Sequence, residues 1–440
     1  MSLSQKVALN TIVQVAAKII TVLTTLITTI LLTGYLGKEG YGDYIFVITL
    51  AILFGSLADW GTATIGVREV SKNKDQSPQW LANLFILRLG LSLAAAVLLM
   101  LVSWVMPLPT KDPQPLRQVI QMAGLIVFLV ATKASFLIVF QVKLQMYKAA
   151  LVDIFGSLLI LLFSWLAIQK GLGLAPLVWA VIGAGFVSAL AAAALAFKTV
   201  KYIFVFDAGM VRKIISESLP MGAILMLFTI DNKIDTVMLG MMKGSGPVGI
   251  YGIAYRVYDV LILGAAYLMN ALLPVISQYS DLGKWSGKLR QIYQQSFDIL
   301  LLGGAVILVV IWAAAPLIVR ILTQQKFNDF GDAVPVLRIL TLAMFISYFN
   351  HLTGYTIVAL GKQRPYFWVA GGALVFNVAL NLLVIPRFSY FGAAWVTVLS
   401  EGLVLMITTF FIFRILKIIP SIFEFPKTAL QIIKGKGKIF

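Results

Sequence analysis

The chain has no cysteine and one histidine, His351. Without cysteine there is no disulfide and no thiolate metal site. A lone histidine also removes the usual ligand clusters for zinc. Charge is scarce as well. Only 12% of the 440 residues are Asp, Glu, Lys or Arg, against 60% that are hydrophobic. A soluble domain carries about 25% charged residues. So few charges cannot cover a water-soluble protein of this size, and the solvent must be lipid. No G-x-x-x-x-G-K-[ST] loop occurs, so the chain does not hold ATP in that way. The loops between apolar runs are too short to house a catalytic domain.

What the chain does have is long apolar runs. A spanning helix takes about 20 mostly apolar residues. Twelve runs qualify: 7–32, 42–66, 80–106, 118–140, 149–169, 174–197, 213–240, 248–272, 294–319, 333–358, 365–385 and 391–416. They are too long and continuous for the alternating strands of a membrane barrel. The second run is the least regular, with Asp59-Trp60-Gly61 inside it. The N-terminal M-S-L-S-Q-K enters the first run with no small-residue cleavage site, which predicts a retained helix and not a signal peptide.

The net charge is +17, and most Lys and Arg residues lie in the short loops. That is a topology signal rather than a nucleic-acid footprint. With the N-terminus inside, 21 of the 35 basic residues fall on inner segments, 8 on outer segments and 6 at membrane depth. No inner loop carries fewer basic residues than an outer neighbour and most carry more, in keeping with the positive-inside rule. The expected fold is an all-α integral membrane protein. About twelve transmembrane helices form two parallel six-helix lobes around a central cavity. Residues 1–197 form the first lobe, 198–212 a cytoplasmic linker and hinge, and 213–417 the second lobe. Residues 418–440 form a cytoplasmic basic tail, either interfacial on anionic lipid or a frayed solvated end. Both termini are expected in the cytoplasm, in the cell (inner or plasma) membrane.

Two pairs of segments suggest a duplicated half. Ile30–Phe46 (I-L-L-T-G-Y-L-G-K-E-G-Y-G-D-Y-I-F) and Asp235–Arg256 (D-T-V-M-L-G-M-M-K-G-S-G-P-V-G-I-Y-G-I-A-Y-R) share one plan. An apolar helix ends at a glycine (Gly34, Gly240), a turn with one lysine follows (Lys38, Lys243), and the next helix opens on Tyr-Gly. Leu144–Val178 and Gly361–Val396 form the second pair, in the same order at a similar offset.

Polar residues at depth are the candidates for function. Asn10, Gln14, Lys18, Thr21, Thr25 and Thr28 share one face of helix one. That face either lines a cavity or fastens the helix to a neighbour. Asp59, Arg88 and Lys133 join Lys18 in the first half, where either substrate contact or snorkelling accounts for the basic ones. The second half has Asp231, Lys233, Asp235, Arg256, Asp259, Asn377, Asn381 and Glu401. There the alternatives are interhelical pairing and a polar wall for substrate or a coupling ion. Asp235, Asp259 and Glu401 are candidates to bind Na⁺ or a proton. His351 alone is weak grounds for a proton relay. No metal or cofactor is expected.

The motifs D-x-x-M-L-G…V-G-I-Y-G-I-A-Y-R (Asp235–Arg256), G-Y-L-G-K-E-G-Y-G-D-Y (Gly34–Tyr44), D-W-G-T-A-T-I-G-V-R-E (Asp59–Glu69) and N-V-A-L-N-L-L-V-I-P…F-G-A-A-W-V-T-V-L-S-E (Asn377–Glu401) follow one another along the chain. In that order they resemble the Wzx-type O-antigen and exopolysaccharide flippases of the multidrug/oligosaccharidyl-lipid/polysaccharide exporter superfamily. The resemblance implies a V-shaped pair of lobes that flips a polyprenyl-diphosphate-linked oligosaccharide between leaflets. It implies no enzyme activity and no cofactor. The partners it implies are the lipid-linked glycan, membrane lipids, and the polysaccharide polymerase and glycosyltransferases of the same route. It also implies a cationic cavity, carried here onto Lys18, Arg88, Lys133 and Arg256. A cation-coupled drug antiporter of the same superfamily is the alternative reading; it predicts that acidic cavity residues dominate, whereas the first half has a basic excess at depth. A membrane-embedded glycosyltransferase would need a large outer loop or a carboxylate cluster near a surface.

Overall fold

The computed structural model describes the backbone of residues 3–73, 75–108, 110, 112–280, 287–417 and 420–421, and the side chains of all of these except 3–9, 11 and 280. Among the described residues the structure is helical, with no strand. The helices are α1 (Leu3–Asp59), α2 (Thr62–Lys72), α3 (Ser77–Val105), α4 (Gln114–Val142), α5 (Met146–Gln169) and α6 (Leu174–Thr199), followed by α7 (Ala208–Lys243) and α8 (Ser245–Leu261). Then come α9 (Leu263–Ser280), α10 (Gly287–Thr323), a 3₁₀ turn (Gln324–Phe330), α11 (Ala333–Ala359) and α12 (Gln363–Leu416). Ten described helical stretches are long and apolar enough to cross a membrane. The protein is an all-α, multi-pass membrane protein.

Two of these stretches are each a pair of helices joined across one non-helical residue, Gly37 in α1 and Ser389 in α12. Gly37 has φ 65° and ψ −172°, and Gly244, between α7 and α8, has φ 85° and ψ −172°. Only glycine adopts that conformation readily. The same corner thus recurs at both Gly-rich turns. Leu144 (φ 53°) before α5 and Gly361 (φ 68°) before α12 repeat a second left-handed corner. The helices run past Gly34 and Gly240, where the sequence suggests their ends, because continued helix keeps backbone groups paired in lipid. Gly240 serves packing instead: a methyl group there would lie 2.5 Å from the ring of Phe46.

The run at 42–66 is not one helix. α1 stops at Asp59, Trp60 and Gly61 turn with φ 38° and 70°, and α2 starts at Thr62. A side chain on Gly61 would strike the backbone of Gly222, so α7 passes directly beneath this turn. The run at 248–272 also breaks, between α8 and α9 at Ile262.

The chain forms two compact units, Met1–Gly249 with Ile321–Asp329, and Ile250–Arg320 with Phe330–Phe440. In the first, α3, α4, α5 and α6 pack around α1, and α7 lies against α1, α2 and α3. Its core joins Trp80, Leu84, Phe136, Phe140, Ala192 and Ile214. The returning piece is tied in where Thr33 Oγ1 donates to the Leu322 carbonyl at 2.6 Å. In the second unit α11 packs on α12 and α9. Gln294 holds Ser421 through two hydrogen bonds of 2.8 Å. Apart from Lys417, Pro420 and Ser421, the tail expected after α12 lies outside the described residues.

Candidate functional site

Lys18, Arg88, Lys133 and Asp235 belong to the first unit, and Arg256, Asp259 and Glu401 to the second. The polar face of helix one is largely satisfied within its own helix. Thr21, Thr25 and Thr28 donate to the carbonyls of Lys18, Thr21 and Thr24 at 2.9, 2.7 and 2.9 Å. Such back-bonding lets a hydroxyl sit in an apolar setting without a partner helix. Asn10 is the exception, reaching across to the Leu144 carbonyl at 2.8 Å. Lys18 is exposed and forms no ion pair with a described carboxylate.

Arg88 is the most enclosed cation of the unit, 1% exposed. Its Nη1 pairs with Asp59 at the end of α1 and donates to Thr62 Oγ1 at 2.8 Å; its Nε donates to Ser135 Oγ on α4 at 2.7 Å. One guanidinium therefore fastens both sides of the α1–α2 break to α3 and α4. The fork of donors suits three separately placed oxygens, which a lysine cannot match. Snorkelling, one reading open from the sequence, does not apply to this side chain. Lys133 on α4 donates to Asp153 Oδ1 on α5 at 2.9 Å, with 23% of its own side chain and 47% of its partner's exposed. Asp153 lies inside an apolar run and the sequence reading passed over it.

At the end of the unit where α2, α3 and α7 meet, Glu69 is buried and accepts from Arg68 at 3.1 Å and from Lys213 at 2.7 Å. Arg68 also pairs with Glu217. At the Gly37 and Gly244 turns, the Ser245 hydroxyl donates to the Asp43 carboxylate. Asp235 is buried on α7 and engaged by a neighbour.

In the second unit Glu401 anchors a polar cluster between α8, α11 and α12. Its Oε1 accepts from Tyr258 at 3.1 Å and its Oε2 from Asn350 Nδ2 at 2.6 Å. His351 lies near the carboxylate and its Nδ1 is 2.8 Å from the Ser347 carbonyl oxygen. The side-chain oxygen of Asn350, Oδ1, is buried without a described partner. Arg256 and Asp259 are half-buried on α8 and each is engaged. Asn381 Nδ2 donates to Asn377 Oδ1 at 2.8 Å, as their four-residue spacing allows. Away from the apolar core of the helices, the Tyr390 phenol donates to Asp332 at 2.6 Å. Burial, with the adjacent carboxylate, pushes its pKa up to about 12. Among the described residues no group of three or more His, Asp or Glu is placed to hold a metal ion.

A family model described as "Polysaccharide biosynthesis protein" matches residues 7–280, well over half of the chain. The chain belongs to this family. A second model, MatE, matches residues 220–383 of this polysaccharide biosynthesis protein. A curated relative, "Probable flippase AglR" of Haloferax volcanii, is 27% identical over 173 residues. The match covers 39% of this chain and only 35% of the relative's length.

Solved structures share the architecture across nearly the whole chain. The lipid II flippase MurJ, in an inward closed conformation, superposes with a TM-score of 0.77 at 15% identity, covering 96% of this chain and 91% of that one. An inward-facing multidrug resistance MATE family transporter of the MOP superfamily gives 0.74 at 16% identity, covering 97% and 99%. A MOP superfamily transporter from Pyrococcus furiosus gives 0.61 at 17%, covering 94% and 95%. At these identities the likeness is one of fold: this family member has the MurJ/MATE-like fold.

Proposed function

We propose that the protein is a flippase. It moves a polyprenyl-diphosphate-linked oligosaccharide from the inner to the outer leaflet for surface polysaccharide synthesis, by alternating access. The observation that carries this reading is membership of the polysaccharide biosynthesis family over residues 7–280. The curated relative named a probable flippase and the MurJ-like fold support it. In this reading the two kinked stretches each cross twice, which brings the ten apolar stretches to twelve crossings in two lobes with both termini in the cytoplasm. Of the three candidate cations at depth in the first unit, Lys18 and Lys133 keep exposed surface and each offers the diphosphate a modest contact; Arg256 is the candidate cation of the second unit. Arg88 serves the same path from behind, by holding the α1–α2 break in shape. The membrane is the inner or plasma membrane, and glycosyltransferases and a polymerase act before and after. The protein carries out no bond chemistry of its own.

The MatE match over 220–383 and the Glu401 cluster favour a second reading, a cation-coupled small-molecule antiporter. Reconstituted vesicles separate the two. A fluorescent polyprenyl-diphosphate oligosaccharide should become accessible on the opposite leaflet in the presence of the protein. No movement of that lipid, together with efflux of a cationic dye driven by a proton or Na⁺ gradient, would replace the flippase by the antiporter.

A further inference from the structure

The connection from α6 to α7, residues 200–207, has neither helix nor strand and reads V-K-Y-I-F-V-F-D. Ile203, Phe204, Val205 and Phe206 are 51, 56, 56 and 62% exposed. Four consecutive apolar side chains at a water-facing surface would invite aggregation. Yet the segment is firmly held. Asn83 on α3, fully buried, donates from Nδ2 to the Val205 carbonyl at 2.9 Å, and its Oδ1 accepts from the Asp207 backbone N–H at 2.8 Å. One side-chain amide thus plays the part of a neighbouring strand. The Ile203 N–H also points to the Pro78 carbonyl, at 3.4 Å. Tyr202 packs among Phe136, Phe197 and Phe204, with ring centroids 6.4, 5.1 and 5.7 Å away.

We infer that residues 201–206 form an anchor that enters the hydrocarbon edge of an anionic lipid leaflet, and that Asn83 is the residue that positions it. Three observations carry this. The exposed apolar run is flanked on both helices by exposed apolar side chains, Leu190 and Phe197 of α6 and Ile215 and Leu219 of α7. Exposed Lys198 and Lys201 precede the run and exposed Arg212 follows it, and such basic side chains attract the phosphates of an anionic leaflet. Non-helical backbone is tolerated at membrane depth only where its polar groups are paired, and the Asn83 amide pairs the Val205 carbonyl within the run and the Asp207 N–H that follows it, while the Ile203 and Val205 N–H groups have partners of their own. The partner is therefore the bilayer itself, not a second protein. The inference adds to the proposed function without depending on it.

The absence of cysteine makes the test direct, because Phe204→Cys accepts a single spin label on the full chain. In vesicles containing phosphatidylglycerol, the label at position 204 should collide with oxygen several-fold more than with an aqueous nickel chelate. A label on Arg212→Cys should show the reverse. Adding Asn83→Asp, which keeps the shape and the acceptor but removes the donor to Val205, should move the 204 label toward the 212 pattern. Replacing the anionic lipid by a zwitterionic one should do so in part. A 204 label as open to nickel as the 212 label would overturn the anchor. A depth unchanged by Asn83→Asp would overturn the role of Asn83, and a depth unchanged by lipid charge would overturn the anionic partner.

Discussion

Gly42 and Gly249 lie against one another with no side chain between them. A methyl group on Gly42 would overlap the Ser245 carbonyl, and one on Gly249 would overlap the carbonyl of Lys38. The pair closes the corner that Gly37 and Gly244 open, and the Ser245–Asp43 hydrogen bond sits beside it. Because the obstacles are backbone atoms, neither collision can be relieved by a rotamer change. Gly42→Ala and Gly249→Ala should each destabilise the first unit by roughly 1–3 kcal/mol, the cost of overpacking. Ser245→Ala should cost about 1 kcal/mol, one hydrogen bond. Thermal denaturation of purified protein in detergent ranks the three. A Gly249→Ala variant that melts with the wild type would refute the close approach.

Arg88 should behave as a structural residue. Removing one partner of a buried pair costs on the order of 3–5 kcal/mol, because charge and hydrogen-bonding groups are left unmatched. Arg88→Ala is therefore expected to lower the amount of folded protein in the membrane. Arg88→Lys should recover part of it, and Asp59→Asn combined with Arg88→Met should recover more than Arg88→Ala alone. Expression with a folding reporter measures this. Normal protein levels in Arg88→Ala would return the residue to the list of substrate contacts.

Lys133 presents the opposite case. Its pair with Asp153 is partly exposed, so its worth to stability is at most about 1 kcal/mol. Under the proposed function Lys133→Ala should leave the protein level near normal and slow flipping by roughly tenfold, equivalent to about 1.4 kcal/mol. Asp153→Asn should leave flipping intact. Rates per inserted molecule in vesicles decide the point, and equal rates for wild type and Lys133→Ala would remove Lys133 from the path.

Glu401→Gln keeps an acceptor for Asn350, and its amide can donate to Tyr258 in return, so the loss of stability should stay within about 1–2 kcal/mol. If Glu401 binds the coupling ion, the variant should transport at a rate that no longer responds to imposed pH or Na⁺ gradients. A response equal to that of the wild type would assign coupling elsewhere, to Asp235 or Asp259, or remove it.

Much of the fold was legible because lipid imposes a simple rule. Backbone groups must pair within the segment, so long apolar runs become helices, and interruptions are confined to a few special residues such as Gly37, Gly244 and Ser389. The irregular triplet Asp59-Trp60-Gly61 marked the place where the structure breaks between α1 and α2, although the sequence suggested a single helix over 42–66. The helices end three residues beyond Gly34 and Gly240, at the Gly37 corner and at Lys243; Gly240 is small because Phe46 packs against it, and a glycine kept for packing reads in sequence like a helix end. The candidate site was legible only as a set of charges. Arg88 showed its helix and depth, but its partner Ser135 lies 47 residues away on another helix, and local periodicity does not say which faces meet. Asn83 gave no signal at all, since a single amide beside an apolar run reads as ordinary helix surface.

Synthesis proceeds from the N-terminus, so Thr33 leaves the ribosome 289 residues ahead of the carbonyl it donates to. The piece Ile321–Asp329 belongs to the first unit, yet it emerges only after α8, α9 and all but the last turn of α10 have been made. The first unit therefore spends most of its biogenesis with an unfilled edge on α1, which lipid or the insertion machinery has to shelter until the chain returns. Contacts this distant in sequence are late and slow to form. A chain truncated before Leu322 keeps that edge open permanently. Quality control thus has a structural mark by which to tell unfinished copies from finished ones.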